Sequence, residues 1–570
     1  MPVNRSHVVS QFLDRCNEEL TTIESISNDA ISANQIDEVV ADNYKHFEEK
    51  LNFTLSNEER RFVVYELNQR DVHVVAPTTL GGDRVARWMG DSPPDWKLWK
   101  DYETYLLRDK IARKVIWNNE TVIDECIDLS GDPKRPGPWE ARGLVMGNVQ
   151  SGKTLNFIGL MNKAIDAGYH TIIVIGGHLK ELREQTQERV DAGVMGRDSS
   201  KFGRGSNVAI SSEPFGVGKS RAGLAGRPHH GTTFQSDFNA PQTRALGVNY
   251  SLDGAVVFVV KKNYKIINNL REWIENWPDK SVRHRPMMLI DDEADYASIN
   301  TKKSGEVAAA TNKSIKQLLN IFSKKTYIAY TATPFANVFI PQFQGTDSQF
   351  DDDLFPRDFM AAMPIPENYC GQDFFFPEDS SEEESGPVRN IPEDVYTKWL
   401  NIKHKKDAEV EGLPPSLKEA VQTFVLIISI RMMRGYTSAH NTMLVNVSRF
   451  NNVQRAVAEE LDSYLTELRN AVRSNGAFEL ERALNNPILK DLNDRFVHEF
   501  GNSEFEFVNV LQNLEKVAQK VKVSLVNGLF KKFAVDKKAS PLPYANNKDE
   551  GLWVIAVGGL KLSRGLTLEG

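Results

Sequence analysis

The chain has 570 residues, 41% of them hydrophobic and 26% charged, with a formal net charge of −8. That length exceeds what one hydrophobic core serves and implies roughly two to four domains. The acidic balance excludes a global basic field, so any nucleic-acid contact must come from a local basic strip.

No apolar run approaches the roughly 18–20 residues that span a bilayer, which gives an expectation of no membrane contact. The longest, Phe424 to Ile430, is flanked by helix formers, and the N-terminus carries no apolar signal region. Cys16, Cys126 and Cys370 stand far apart, with no CxxC or Cys/His pair. That spacing argues against a zinc site and fits a reducing, cytoplasmic setting.

Residues 1–125 read as an N-terminal helical domain, because "HVVSQFLDRCNEEL" and "NEERRFVVYELNQR" repeat apolar residues near the helical period. "GDPKRPGPW", Gly131 to Trp139, breaks the chain before the next unit. From Ala141 short apolar strands alternate with helices: "GLVMG", "HTIIVIGG", "AVVFVVKKN", "RPMMLIDDEAD" and "KTYIAYTATP" are strands. This pattern predicts a parallel sheet covered on both faces, over residues 126–345. Within it, 191–250 is a glycine-rich insertion with seven Lys/Arg against four Asp/Glu. An acidic stretch at 346–412 reads as a linker or insertion. A second α/β unit follows over 413–570, with strands "TMLVNVS" and "LWVIAVGG" among helices.

"GNVQSGKT", Gly147 to Thr154, matches the phosphate-loop pattern at every fixed position, after a strand and at the start of a helix. Its backbone N–H groups and the helix dipole would cradle a polyphosphate, with Gly147, Gln150, Ser151, Gly152, Lys153 and Thr154 as the contacts. Lys153 would reach the β- and γ-phosphates, and the Thr154 hydroxyl would ligate Mg²⁺. In "MMLIDDEADYA" the acids fall at the C-terminal end of an apolar strand, the edge where open parallel sheets bind ligands. Asp292 would hold Mg²⁺, Glu293 would act as general base, and Asp295 would couple the site to neighbouring motifs. Asp291 reads as a spectator.

A phosphate loop, then "DEAD", then "TATP" (Thr331 to Pro334) is the order found in superfamily 2 helicase-like ATPases. "TIIVIGGHLKELREQTQERV" resembles their next motif, with Arg183, Gln185 and Arg189 as nucleic-acid contacts, and "VFVVKKN" offers Lys261 and Lys262. "VIAVGGLKLSRGLTLEG" is similar to the fifth motif, whose Arg-Gly pair, here Arg564 and Gly565, joins Asp295, Thr331 and Thr333 in the expected set of coupling residues. The combination most closely resembles the bacterial Z-one domain family, a branch of these ATPases whose members are labelled endonucleases. No convincing D…E-x-K nuclease constellation gives that label residue support.

The resemblance implies two RecA-like lobes, with ATP and Mg²⁺ as cofactors. Its expected function is that of a nucleic-acid motor acting on DNA in a bacterial defence or restriction setting, among partner proteins of such systems. The alternatives are a nucleotide-gated scaffold and an ATP-dependent endonuclease subunit. Family members continue to a sixth motif that supplies an arginine finger, so the second lobe is expected to be incomplete at Gly570. The basic insertion, with Lys201, Arg204, Lys219, Arg221 and Arg227, reads as a solvated loop or a DNA clamp. Trp88, Trp96 and Trp99 read as packing between domains or as base-stacking groups.

Overall fold

The structure is a computed structural model. It describes most residues within 87–148, 152–200, 210–246, 254–298, 306–334, 354–376, 387–527 and 542–570, together with 78–81 and scattered positions between 12 and 63. The chain divides into two compact units, Val72–Asp379 and Met1–Asp71 with Ser380–Gly570.

Val72–Asp379 is built on an eight-stranded sheet. Its strands are β1 (Thr78–Gly81), β2 (Trp139–Met146), β3 (Thr171–Gly176), β4 (His229–His230), β5 (Val256–Lys261), β6 (Met287–Asp291), β7 (Lys324–Thr331) and β8 (Phe359–Ala362). They lie in the order β1-β8-β2-β7-β6-β3-β5-β4. All neighbours are parallel except β1 and β8 at one edge.

The strand sequences explain this burial. Because side chains alternate across a strand, near-continuous apolar runs feed two cores. Val145, Ile172, Val174, Met288, Ile290 and Tyr330 face one side, with α1 (Lys97–Arg108), α2 (Arg113–Asp128) and α3 (Lys153–Ala167). Leu144, Ile173, Ile175, Leu289, Tyr327 and Ala329 face the other. Helices α5 (Tyr264–Glu275) and α6 (Glu306–Asn320) cover them there. Between the covering helices of the first face, α4 (Lys180–Val190) runs into a π-helical turn, Asp191–Met195.

One sequence expectation changes here. Phe359–Ala362, read as part of an acidic linker, is a strand that lies beside the phosphate-loop strand. Gly143 makes room for it: a Cβ there would fall 2.0 Å from the Phe359 ring. The tryptophans make packing contacts, one of the two readings given for them. Trp99 is buried in the core, and the Lys163 ammonium lies 4.8 Å from its ring and 5.1 Å from that of Trp96. The Trp88 indole donates to Ile127 O at 2.9 Å.

The second unit carries a three-stranded parallel sheet: β9 (Asn441–Val445), β10 (Lys522–Val526) and β11 (Trp553–Gly558), in the order β10-β11-β9. Its core joins this sheet to α7 (Pro415–Met433), α8 (Asn451–Asn475), α9 (Pro487–Phe500) and α10 (Phe507–Lys520). Among the described residues no helix is long and apolar enough to cross a membrane.

Candidate functional site

The site lies at the C-terminal edge of the large sheet, where β2, β6 and β7 end in step. Met146 pairs with Thr331, and Asp291 with Ala329. Gly147 N–H donates to Thr331 O at 3.1 Å, so the phosphate loop leaves the sheet against the start of the TATP segment. Gly152 then turns the chain into α3 with φ +89°, a left-handed conformation that L side chains rarely adopt. A Cβ added at Gly152 would meet nothing within 4 Å among the described residues. Gln150 and Ser151 lie outside the described residues.

Lys153 opens α3 and folds back over the loop, donating to Gly147 O at 2.9 Å and Asn148 O at 2.7 Å. Burial pushes its pKa down, opposed by the charges of Asp292, Asp295 and Glu293. The lysine and the acidic turn therefore share one electrostatic neighbourhood. Burial raises the Asp292 carboxyl above its ordinary range, countered by Lys262, the Glu293 N–H and Lys153. Glu293 adopts φ +51°, rare for a residue with a Cβ, and its own N–H donates to Asp292 Oδ1 at 3.0 Å. Asp295 accepts from Thr331 Oγ1 at 3.2 Å and from Thr333 Oγ1 at 2.8 Å, and Thr333 N–H donates to Thr331 Oγ1 at 3.0 Å. These three residues form one hydrogen-bonded cluster.

Other assignments change. Lys262, expected at a nucleic-acid surface, has a wholly buried side chain. It pairs with Asp291 at 2.9 Å and donates to the carbonyls of Asp292 and Glu293, each at 2.7 Å. Asp291 also accepts from Tyr327 OH at 2.8 Å. The spectator and the supposed DNA contact thus form the buried base on which the acidic turn rests. Arg183 is likewise buried and donates to the carbonyls of Thr233, Phe234 and Ser236, so it pins the insertion. Desolvation pushes its pKa down. Arg227 is buried and bound to Asp101 at 2.5 Å, which fixes that part of the insertion against α1. Burial takes these charged groups away from solvent and commits them to the protein's own carboxylates and carbonyls. Lys219 is exposed, whereas Lys201, Arg204 and Arg221 lie outside the described residues.

Gln185 and Lys261 are half-buried. Arg189, expected on the nucleic-acid side, donates instead to Thr154 Oγ1 at 3.0 Å. Arg564 and Gly565 lie outside the described residues. The sequence reading missed Tyr327, and it missed the Tyr330–Asn156 hydrogen bond of 2.8 Å that ties β7 to α3. Their only sequence signal is a polar atom inside an apolar stretch.

The donor set fits a nucleotide with a hard divalent cation. A hydroxyl and a carboxylate are oxygen ligands of the kind Mg²⁺ uses, with phosphates and water completing its shell. Among the described residues no group of three or more His, Cys, Asp or Glu is placed to hold a metal by itself. The desolvated Asp292 carboxyl is what a bound cation would relieve.

The Z1 domain family matches residues 416–570, which lie in the second unit. No curated protein sequence matches the chain. Among solved structures, the Sulfolobus solfataricus SWI2/SNF2 ATPase core in complex with dsDNA is similar over 78% of this chain and 77% of that one. Identity is 11% and the TM-score 0.21, a likeness too slight to carry weight.

Proposed function

We propose that this chain is an ATP-hydrolysing, nucleic-acid-dependent motor of the helicase-like kind, with the large-sheet unit as its nucleotide-binding lobe and the second unit as a further RecA-like lobe. One observation carries the reading: Lys153 and the acidic turn share a sheet edge, and Asp295 of that turn is bonded to both threonines of the TATP segment. DNA as the partner and a bacterial defence setting are the finer readings that the family resemblance suggests.

In this reading Lys153 exchanges the carbonyls of Gly147 and Asn148 for phosphate oxygens. Thr154 and Asp292 hold the cation, and Glu293 takes a proton from the attacking water. Bound Mg²⁺ would supply charge neutralisation at the β- and γ-phosphates. The Lys262–Asp291 pair keeps the turn in place. Asp295 passes any shift of that turn to Thr331 and Thr333.

The test is an ATPase assay with single-stranded DNA, duplex DNA and RNA side by side. Stimulation by one of them is expected; equal turnover with and without all three would count against a motor. Lys153→Ala should abolish nucleotide binding. Glu293→Gln should bind ATP and hydrolyse it about 10²-fold or more slowly. Parental turnover by that variant would remove Glu293 as the base.

A further inference from the structure

Arg189 sits in the last turn of α4, and its guanidinium donates to Thr154 Oγ1 at 3.0 Å. Thr154 is the hydroxyl that the nucleotide reading assigns to the cation. The contact is held from behind. Asn162 of α3 donates to Gly193 O at 3.0 Å, joining the π-helical turn after Arg189 to the helix that Thr154 opens. Buried Asp191, in that turn, accepts from Gln187 Nε2 at 2.9 Å and from Ser199 N–H at 2.9 Å, with His230 Nε2 at 3.1 Å. Gln187 in turn accepts from Thr232 Oγ1 at 2.9 Å. The backbone carrying Arg189 is therefore held in place from behind.

A threonine hydroxyl has two lone pairs and one proton. The Arg189 N–H takes one lone pair and brings a permanent positive charge to the oxygen meant for a divalent cation. Guanidinium and cation compete for that corner, and like charges repel there.

We propose that Arg189 guards the metal corner of the nucleotide site. It holds Thr154 Oγ1 while no cation is bound, and it must turn away before that oxygen can ligate one. The inference rests on the nucleotide reading above and adds to it: Arg189 sets how much Mg²⁺ nucleotide binding requires. It also gives this arginine a task other than contact with nucleic acid.

The test titrates Mg²⁺ into the full chain with a fluorescent ATP analogue and reads binding rather than turnover. In Arg189→Met the half-saturating Mg²⁺ should fall about three- to tenfold, the range one lost hydrogen bond commands. Binding without Mg²⁺ should be unchanged. Arg189→Lys keeps the charge and should return the requirement towards the parent's. Should the methionine variant fail to fold by circular dichroism, Arg189→Gln, a shorter polar side chain without the charge, is judged by the same shift. An unchanged Mg²⁺ requirement in a folded neutral variant overturns the proposal. So does weaker nucleotide binding both with and without Mg²⁺, which would make Arg189 a phosphate ligand, and so does a lysine variant that behaves like the methionine one. These three results leave the nucleotide reading standing. A parent that binds no nucleotide at any Mg²⁺ concentration removes that reading and the inference with it.

Discussion

Lys262 shows how a residue's neighbours set its task. By position it is a lysine at the end of a strand, beside Lys261, and a basic pair there reads as a phosphate contact. Its ammonium lies fully buried against Asp291, beneath the acidic turn. Breaking a buried pair from one side leaves an uncompensated charge, which costs about 3–5 kcal/mol. Lys262→Met should lose about that much in a denaturant titration and should weaken nucleotide binding through the displaced turn. A variant as stable as the parent would show that the pair bears no weight. Gly152 makes a second case. At φ +89° an alanine should cost about 1–2 kcal/mol locally, with nothing to clash against, so Gly152→Ala should reduce nucleotide affinity while leaving the melting temperature of the remainder nearly intact.

At the scale of elements, one carboxylate ties the start of α1 to the end of α3, beside their shared apolar core. Asp166, near the end of α3, accepts from the N–H groups of Leu98 and Trp99 at the start of α1, at 2.9 and 3.2 Å. Burial pushes its pKa up to about 6, opposed by those two hydrogen bonds. A carboxyl whose folded pKa is raised binds more protons folded than unfolded, so its contribution is full below the unfolded value near 3.8 and is lost as pH rises through about 6. As pH rises from about 4 to about 7, the melting temperature of the parent should fall relative to that of Asp166→Asn, whose amide oxygen still accepts both bonds. Parallel curves would show that Asp166 does not titrate in this window. β8 belongs to the same scale. Four residues in an acidic stretch carry no strand signal of their own; pairing with β2 and β1, with the Phe359 ring over Gly143, makes them a strand.

For the whole molecule, the phosphate loop, acidic turn and TATP segment fall in Val72–Asp379, whereas the Z1 match covers 416–570 in the other unit. With a net charge of −8, any nucleic-acid contact must be local and electrostatic. Affinity should then fall on the order of tenfold or more between 50 and 200 mM salt, as released counterions dictate. A salt-independent affinity would point to base stacking and not to phosphate contact.

Five strands of the large sheet (β2, β3, β5, β6 and β7), the coverage of both its faces and a candidate site at its C-terminal edge were legible in the sequence, because hydrophobic periodicity and glycine punctuation act over a few residues and need no partner. The same holds for the proximity of Lys153, Asp292 and Asp295, since each ends or follows a strand of one parallel sheet. What only the tertiary structure decided was which charges face solvent. Lys262, Arg183, Arg227 and Arg189 look alike along the chain, and each is committed to a carboxylate, a carbonyl or a hydroxyl brought near by folding. Desolvation depends on what else is packed around a group, and a linear sequence does not carry that information.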